Sequence, residues 1–208
     1  VESATALPAD AFSLATTELE RRRVMEIDRR GEEDTADLHS EALRTALLDS
    51  LTANDARALH RRAAAAWLKQ AHLRPEATAQ AARHLFAAGE NRAAFPHALE
   101  AAYRAGEALD LNTTRKWMLQ IGDPGPALDA VSPAAVYRYH LLRFLLAFND
   151  GDLPAAEEAV ALAAEKAPDT RSRLTAGISC ARLHTRRGDY VSTVKVCRQG
   201  LRDAVADG

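Results

Sequence analysis

The feature that most narrows what this chain can fold into is a recurring glycine. In the segments AAGENRAA, QIGDPGPA, NDGDLPAA and RRGDYVST a glycine precedes an acidic residue, at Gly89, Gly122, Gly151 and Gly188, with spacings of 33, 29 and 37 residues. Self-similarity at this period is the mark of helical hairpins, which stack into a solenoid because one hairpin cannot bury its apolar face alone. Composition agrees: 47% of residues are hydrophobic but only 5% aromatic, which favours close-packed helices over sheets. The expected class is mostly α.

The chain ahead of the repeats reads differently. LPADAFSLATTELERRR puts Leu7, Ala11, Leu14, Ala15 and Leu19 at helical spacing, with Pro8 in the first turn. VMEID and TADLH alternate apolar and polar residues around Arg-Arg-Gly-Glu-Glu-Asp, which has the glycine and polar residues of a hairpin loop. SEALRTALLDSL resumes a helix behind Ser40, with Leu43, Leu47, Leu48 and Leu51 on one face. Helix, two-stranded wing and helix together predict a small winged-helix module over residues 1–53. A connecting helix over 54–72 follows, capped by Asn54, with a stripe of Leu59, Ala63, Ala66 and Trp67. Repeats then fill 73–208.

Charge and composition limit the function. Residues 1–50 carry six Arg against twelve acids, and Glu32 to Asp34 are three consecutive acids in the wing loop. Duplex DNA is held mainly by Lys and Arg on phosphates, so this wing is expected to meet another protein domain and not DNA. No apolar run reaches the ~20 residues that span a bilayer, and no signal peptide opens the chain, which points to a cytoplasmic protein without membrane contact. The start at Val1 suggests a segment of a longer protein. No phosphate-binding loop, dinucleotide fingerprint, zinc-protease motif or Cys-x-x-Cys is present, so neither catalysis nor a compact metal site is expected within the segment. His60, His84 and His97 recur on the helices without a carboxylate pattern and are expected as partly buried hydrogen-bonders. Cys180 and Cys197 fall where two helices of one hairpin face each other, and are expected as buried free thiols.

Residues 73–208 resemble tetratricopeptide repeats, in which a Gly-Asp/Asn-aromatic turn is followed by small or apolar residues five, nine and twelve positions on and a proline at seventeen. The unit at Gly151 has Ala156, Val160, Ala163 and Pro168 there, and that at Gly89 has Ala94, Ala98, Ala101 and then Gly106. The unit at Gly188 matches less well, with Thr193, Cys197 and Gly200, and the unit at Gly122 is interrupted by Pro124 and Pro126. The small residues let the two helices cross closely. Pro96 lies inside the second helix of the first unit, which must start late or kink if it is capped by Asn91. The resemblance implies a right-handed α-solenoid of such hairpins.

The order of parts is similar to the region after the nucleotide-binding module of bacterial STAND-type signalling ATPases, including large LuxR-type transcription regulators. The residues that carry this are His39-Ser40-Glu41-Ala42, Arg57-Ala58-Leu59-His60-Arg61, and Ala82-Arg83-His84 leading to Ala88-Gly89, and the match covers about residues 20–106. The resemblance implies an upstream ATPase domain that holds ATP or ADP, a winged helix packed on it, and repeats that sense a protein, peptide or small-molecule inducer. No cofactor is expected in the segment itself. His39 is the one residue with an implied approach to nucleotide, and its plainer reading is a residue that caps the following helix. A free-standing peptide-binding scaffold and a DNA-binding regulator using the wing are the alternatives.

From Asp169 onward the chain has eight Lys or Arg against four acids. On the repeat register Arg138, Asn149, Arg182, Thr185 and Arg186 point to the inner face, where helical solenoids bind extended ligands. A basic groove there would favour an acidic peptide or a carboxylate.

Overall fold

A computed structural model describes residues 9–28, 35–38, 40–125, 128 and 131–207. They are mostly helical and divide into two compact units, Val1–Ala94 and Phe95–Gly208. The predicted wing loop with Glu32 to Asp34, His39 and Pro126 lie outside the described residues, as do the side chains of Leu43, Leu47 and Leu48.

In the first unit, helix α1 (Ala9–Arg21) leads into strand β1 (Met25–Asp28), which pairs antiparallel with β2 (Thr35–Leu38) in the register Met25↔Leu38 to Asp28↔Thr35. Arg23 takes a left-handed conformation at φ 56° to turn the chain from helix to strand. Helix α2 (Glu41–Ser50) follows Ser40 directly. The predicted helix–hairpin–helix order is therefore present. The apolar stripe of α1 is not a buried face: Leu14 is 73% exposed and Leu19 38%.

Helix α3 (Ala53–Lys69) is capped by Thr52 and not by Asn54. The Thr52 hydroxyl accepts the Asp55 amide at 3.2 Å and donates to the Asp55 carboxylate at 2.6 Å. Such a reciprocal cap satisfies one of the free N–H groups of the first turn, and Asn54 is already helical. The buried line of α3 is also rotated from the predicted stripe. It centres on Ala64, with His60 and Trp67 half-buried on the same face, while Leu59 points out. This face packs on α4 (Ala77–Ala87), and Ala64, Leu85 and Ala94 form the local core.

Helix α5 (Asn91–Glu107) begins in the first unit and continues into the second. It starts at Asn91 itself and runs through Pro96 without a late start, so Asn91 is its first residue and not its cap. In the second unit α6 (Leu111–Ile121), α7 (Pro133–Asp150), α8 (Leu153–Lys166), α9 (Thr170–Arg186) and α10 (Tyr190–Asp207) follow. Neighbours α7 with α8, α8 with α9, and α9 with α10 pack as successive hairpins, an arrangement consistent with a solenoid.

One two-residue turn recurs through both units. At Gly89, Gly151 and Gly188 the glycine is left-handed, with φ between 77° and 81°, and the next residue's amide returns to the carbonyl five residues earlier at 2.9 Å. This is the Schellman closure of a helix C-terminus. Asp152 and Asp189 then turn their carboxylates onto the amides of Ala155 and Ser192, so the residue that ends one helix bond set caps the next helix. The same turn occurs between α5 and α6 with Leu109 at φ 58° in place of glycine, and Asp110 capping Thr113. Gly122 is different: its amide bonds Met118 as a plain helix end, and α7 starts only at Pro133 behind a Ser132 cap. Even spacing in the sequence thus placed Gly122 in a set of turns to which Leu109 belongs.

The predicted small positions are packed. Ala156 and Ala163 are fully buried and Val160 nearly so; Ala156 and Val160 cluster with Ala159, Phe144 and Leu183, and Ala163 with Tyr137 and Ala176. Cys180 is half-buried beside Phe144 and Leu183, whereas Cys197 is exposed and not buried as expected. Counting from the turn glycine, Cys197 matches Val160. On α8 that position is covered by α9, but among the described residues no further helix covers α10.

Candidate functional site

Three helices of the second unit frame a cavity of about 600 Å³. One wall is α5, where Glu100, Tyr103, Arg104 and Glu107 recur at helical spacing on one face. The floor is α7, with Tyr137, Arg138 and the apolar Leu141, Leu142 and Leu145. The other wall is α9, where Arg171, Thr175, Ser179 and Arg182 make one stripe. Gly106 lets α5 and α7 approach, since a methyl there would stand 2.8 Å from Leu142 Cδ2.

The polar groups of the cavity are partly matched. Glu100 accepts from Arg138 Nη1 at 2.6 Å and from Arg104 Nε at 2.9 Å, so one carboxylate serves two guanidiniums. Arg138 also lies over the Tyr103 ring, 4.5 Å from its centre, a cation–π contact that orients it into the cavity. Burial holds the Tyr103 phenol above its ordinary range, and Glu107 beside it adds to the effect. Burial likewise raises Tyr137, opposed by bonds to Thr175 and Ser172. Both phenols are therefore neutral donors at neutral pH. Among the described residues no ion pair engages Arg171 or Arg182; Arg182 rests against the Phe148 ring at 5.6 Å. The described lining has four arginines against the carboxylates of Glu100, Glu107 and Asp169, an excess of positive charge over an apolar floor.

Of the five residues predicted for the inner face, Arg138 and Arg182 line this cavity. The other three are engaged elsewhere. The Asn149 amide donates to the Leu145 carbonyl at 2.7 Å, and the Thr185 hydroxyl to the Ala181 carbonyl at 2.8 Å. Arg186 donates to the Phe148 carbonyl at 2.9 Å and lies over the Phe148 ring. These three sit at the turn end of α7 and α9, where side chains reach back to helix carbonyls. Sequence reasoning missed Tyr103, Glu100 and Arg171. The first two were detectable as a face at positions 100, 103, 104 and 107, and Arg171 as the partner of Arg182 three turns along α9.

Among the described residues no three or more His, Cys, Asp or Glu side chains gather as a metal site. At the end of α1, Glu18 takes Arg21 through two bonds of 2.8 Å and Arg22 at 2.6 Å. No helix among the described residues is long and apolar enough to cross a membrane. No known protein family, curated protein or solved structure matches the chain.

Proposed function

We propose that this chain is a non-enzymatic regulatory module, a winged helix followed by tetratricopeptide-like repeats, whose α5–α7–α9 cavity takes an acidic peptide or a carboxylate-bearing inducer. The observation that carries this is the pair Arg171 and Arg182 on one stripe of α9, in no ion pair among the described residues and facing an apolar floor. Eleven residues of helix separate them by ~16 Å, a span matched by about five residues of extended peptide. Charge-assisted bonds from guanidiniums to carboxylates supply the recognition, and Tyr103 and Tyr137 supply flat contact area.

The resemblance to STAND-type ATPases extends this to a relay. In that reading the wing end docks on an upstream nucleotide-binding domain, and ligand on the repeats biases the nucleotide state through exchanged contacts. The exposed Leu14 and Leu19 of α1 support a docking face there. DNA contact is disfavoured because Arg21 and Arg22 are already held by Glu18.

Fluorescence anisotropy with two probes tests the binding half: a labelled octapeptide of alternating Glu and Ala, and a labelled random duplex. Saturable binding of the peptide and none of the duplex is expected. Tight, salt-sensitive duplex binding lost on reversing Arg21 to Arg23 would overturn it in favour of a DNA-binding wing. Sequencing about 300 codons of the reading frame upstream of Val1 tests the relay half, since a STAND-type parent requires a phosphate-binding loop there.

A further inference from the structure

Two of the three histidines that carry the family resemblance, His60 and His84, meet across the α3–α4 packing. Their Nδ1 atoms are 2.9 Å apart, with ring centres separated by 5.2 Å and ring planes tilted by 36°. These distances fix the kind of contact. A ring nitrogen lies ~1.15 Å from its ring centre, and two such lengths plus the N···N distance account for the whole separation, so both nitrogens lie close to the line joining the rings. Each Nδ1 therefore aims at the other. A shared metal would need both lone pairs to converge on a third point, ~2.0–2.1 Å from each and off that line. The head-on geometry is instead that of a hydrogen bond, with one Nδ1 donating and the other accepting.

Such a bond counts protons. Two neutral rings make it only when one is protonated at Nδ1 and the other at Nε2. One added proton leaves it intact, because an imidazolium Nδ1–H donates to a neutral partner with charge assistance. A second added proton sets two N–H groups and two like charges head to head.

We propose that the His60–His84 pair is a proton-operated latch between α3 and α4, closed with none or one added proton and opened by the second. The surroundings set the opening in acid. Within about a turn of the pair α3 carries Arg57, Arg61 and Arg62, and α4 carries Arg83. Glu90, in the turn after α4, is held by Arg61, and Asp55 and Glu76 stand back near the helix N-termini. Burial, and then the charge of His60, keep His84 below the ordinary histidine range. Neighbouring cations oppose the second proton in the same direction. The latch ties the helix that follows the wing module to the first repeat helix, so its opening would loosen α3 where a signal from the repeats would have to pass. This inference concerns the first unit alone and does not depend on the cavity reading.

The test is long-range proton–nitrogen NMR of the imidazoles in the 15N-labelled 208-residue chain between pH 4 and 8. At the upper end one ring is expected as the Nδ1–H tautomer and the other as Nε2–H, with two separated titration steps on lowering the pH. Hydrogen-exchange protection of the α3 and α4 amides is expected to fall at least tenfold through the second step. His84→Gln, which can bond but cannot take up a proton, should keep its protection over that range. Two Nε2–H tautomers at pH 8, or a single shared titration step with unchanged protection, would overturn the latch. The tautomer readout in the unaltered chain decides the matter even if the variant does not fold.

Discussion

Replacing Gly177 by alanine should stabilise the second unit, and the magnitude follows from its position. Gly177 sits inside α9, where glycine is ~0.8–1.0 kcal/mol less favourable than alanine because it surrenders more backbone freedom on folding. A methyl there meets nothing nearer than Val196 Cγ1 at 3.9 Å, an ordinary contact that α10 already makes room for. The propensity gain should therefore appear almost whole, as about 1 kcal/mol, or ~2–4 °C in melting temperature for a chain of this size. Gly106 is the control. Its added methyl would stand 2.8 Å from Leu142 Cδ2 and 3.4 Å from Leu145 Cδ2, so Leu142, only 2% exposed, would have to shift to admit it. Overpacking of ~1–3 kcal/mol then cancels or exceeds the same propensity gain. Urea and thermal unfolding followed by circular dichroism would measure both variants. Equal gains for Gly106→Ala and Gly177→Ala would show that α5 and α7 do not approach as described, and a loss for Gly177→Ala would refute the packing of α9 on α10.

Other outcomes follow from the same contacts. Ala163→Leu puts bulk into the fully buried contact of α7, α8 and α9 and should cost ~1–3 kcal/mol in urea unfolding, while Glu157→Ala, on the exposed side of α8, should leave the curve nearly unmoved apart from the lost Arg187 pair. Ser132→Ala removes the cap of α7 and should cost ~1 kcal/mol, read in the same assay. Burial holds His84, His97 and His140 below the ordinary value of 6.5. The unfolded chain then takes up protons before the folded one, so their contribution is full above pH 6.5 and is lost as the pH falls below it. Melting temperatures that rise between pH 6.5 and 5 would contradict that sign.

What the sequence revealed depended on whether one residue type sufficed to signal the conformation. The hairpin at Gly151 was legible because a left-handed turn, an aspartate cap and three small buried residues all fall in order. The equivalent turn at Leu109 was not, since a leucine in left-handed conformation leaves no compositional trace. In α3 the alanines at 63, 64, 65 and 66 fit several faces equally, and only contact with α4 selects Ala64. Asn54 and Thr52 are both good cap residues, and the choice fell to Thr52 through its bonds with Asp55. The cavity was half legible for a similar reason. Arg138 and Arg182 could be placed by register, but Asn149, Thr185 and Arg186 lie near helix ends, where nearby carbonyls compete for polar side chains. The histidine pair depended on two helices whose relative rotation no single-helix pattern specifies.

The central claim is that an anionic ligand is held by the α9 stripe of the cavity and not by a generally basic surface. It is tested most directly by calorimetric titration of the alternating Glu-Ala octapeptide into the unaltered chain, Arg171→Glu/Arg182→Glu and Arg186→Glu. The double reversal should weaken binding by about tenfold or more, as expected for two lost charge-assisted contacts, with Arg186→Glu close to the unaltered chain. Equal weakening by Arg186→Glu, or no effect of the double reversal, would contradict the account.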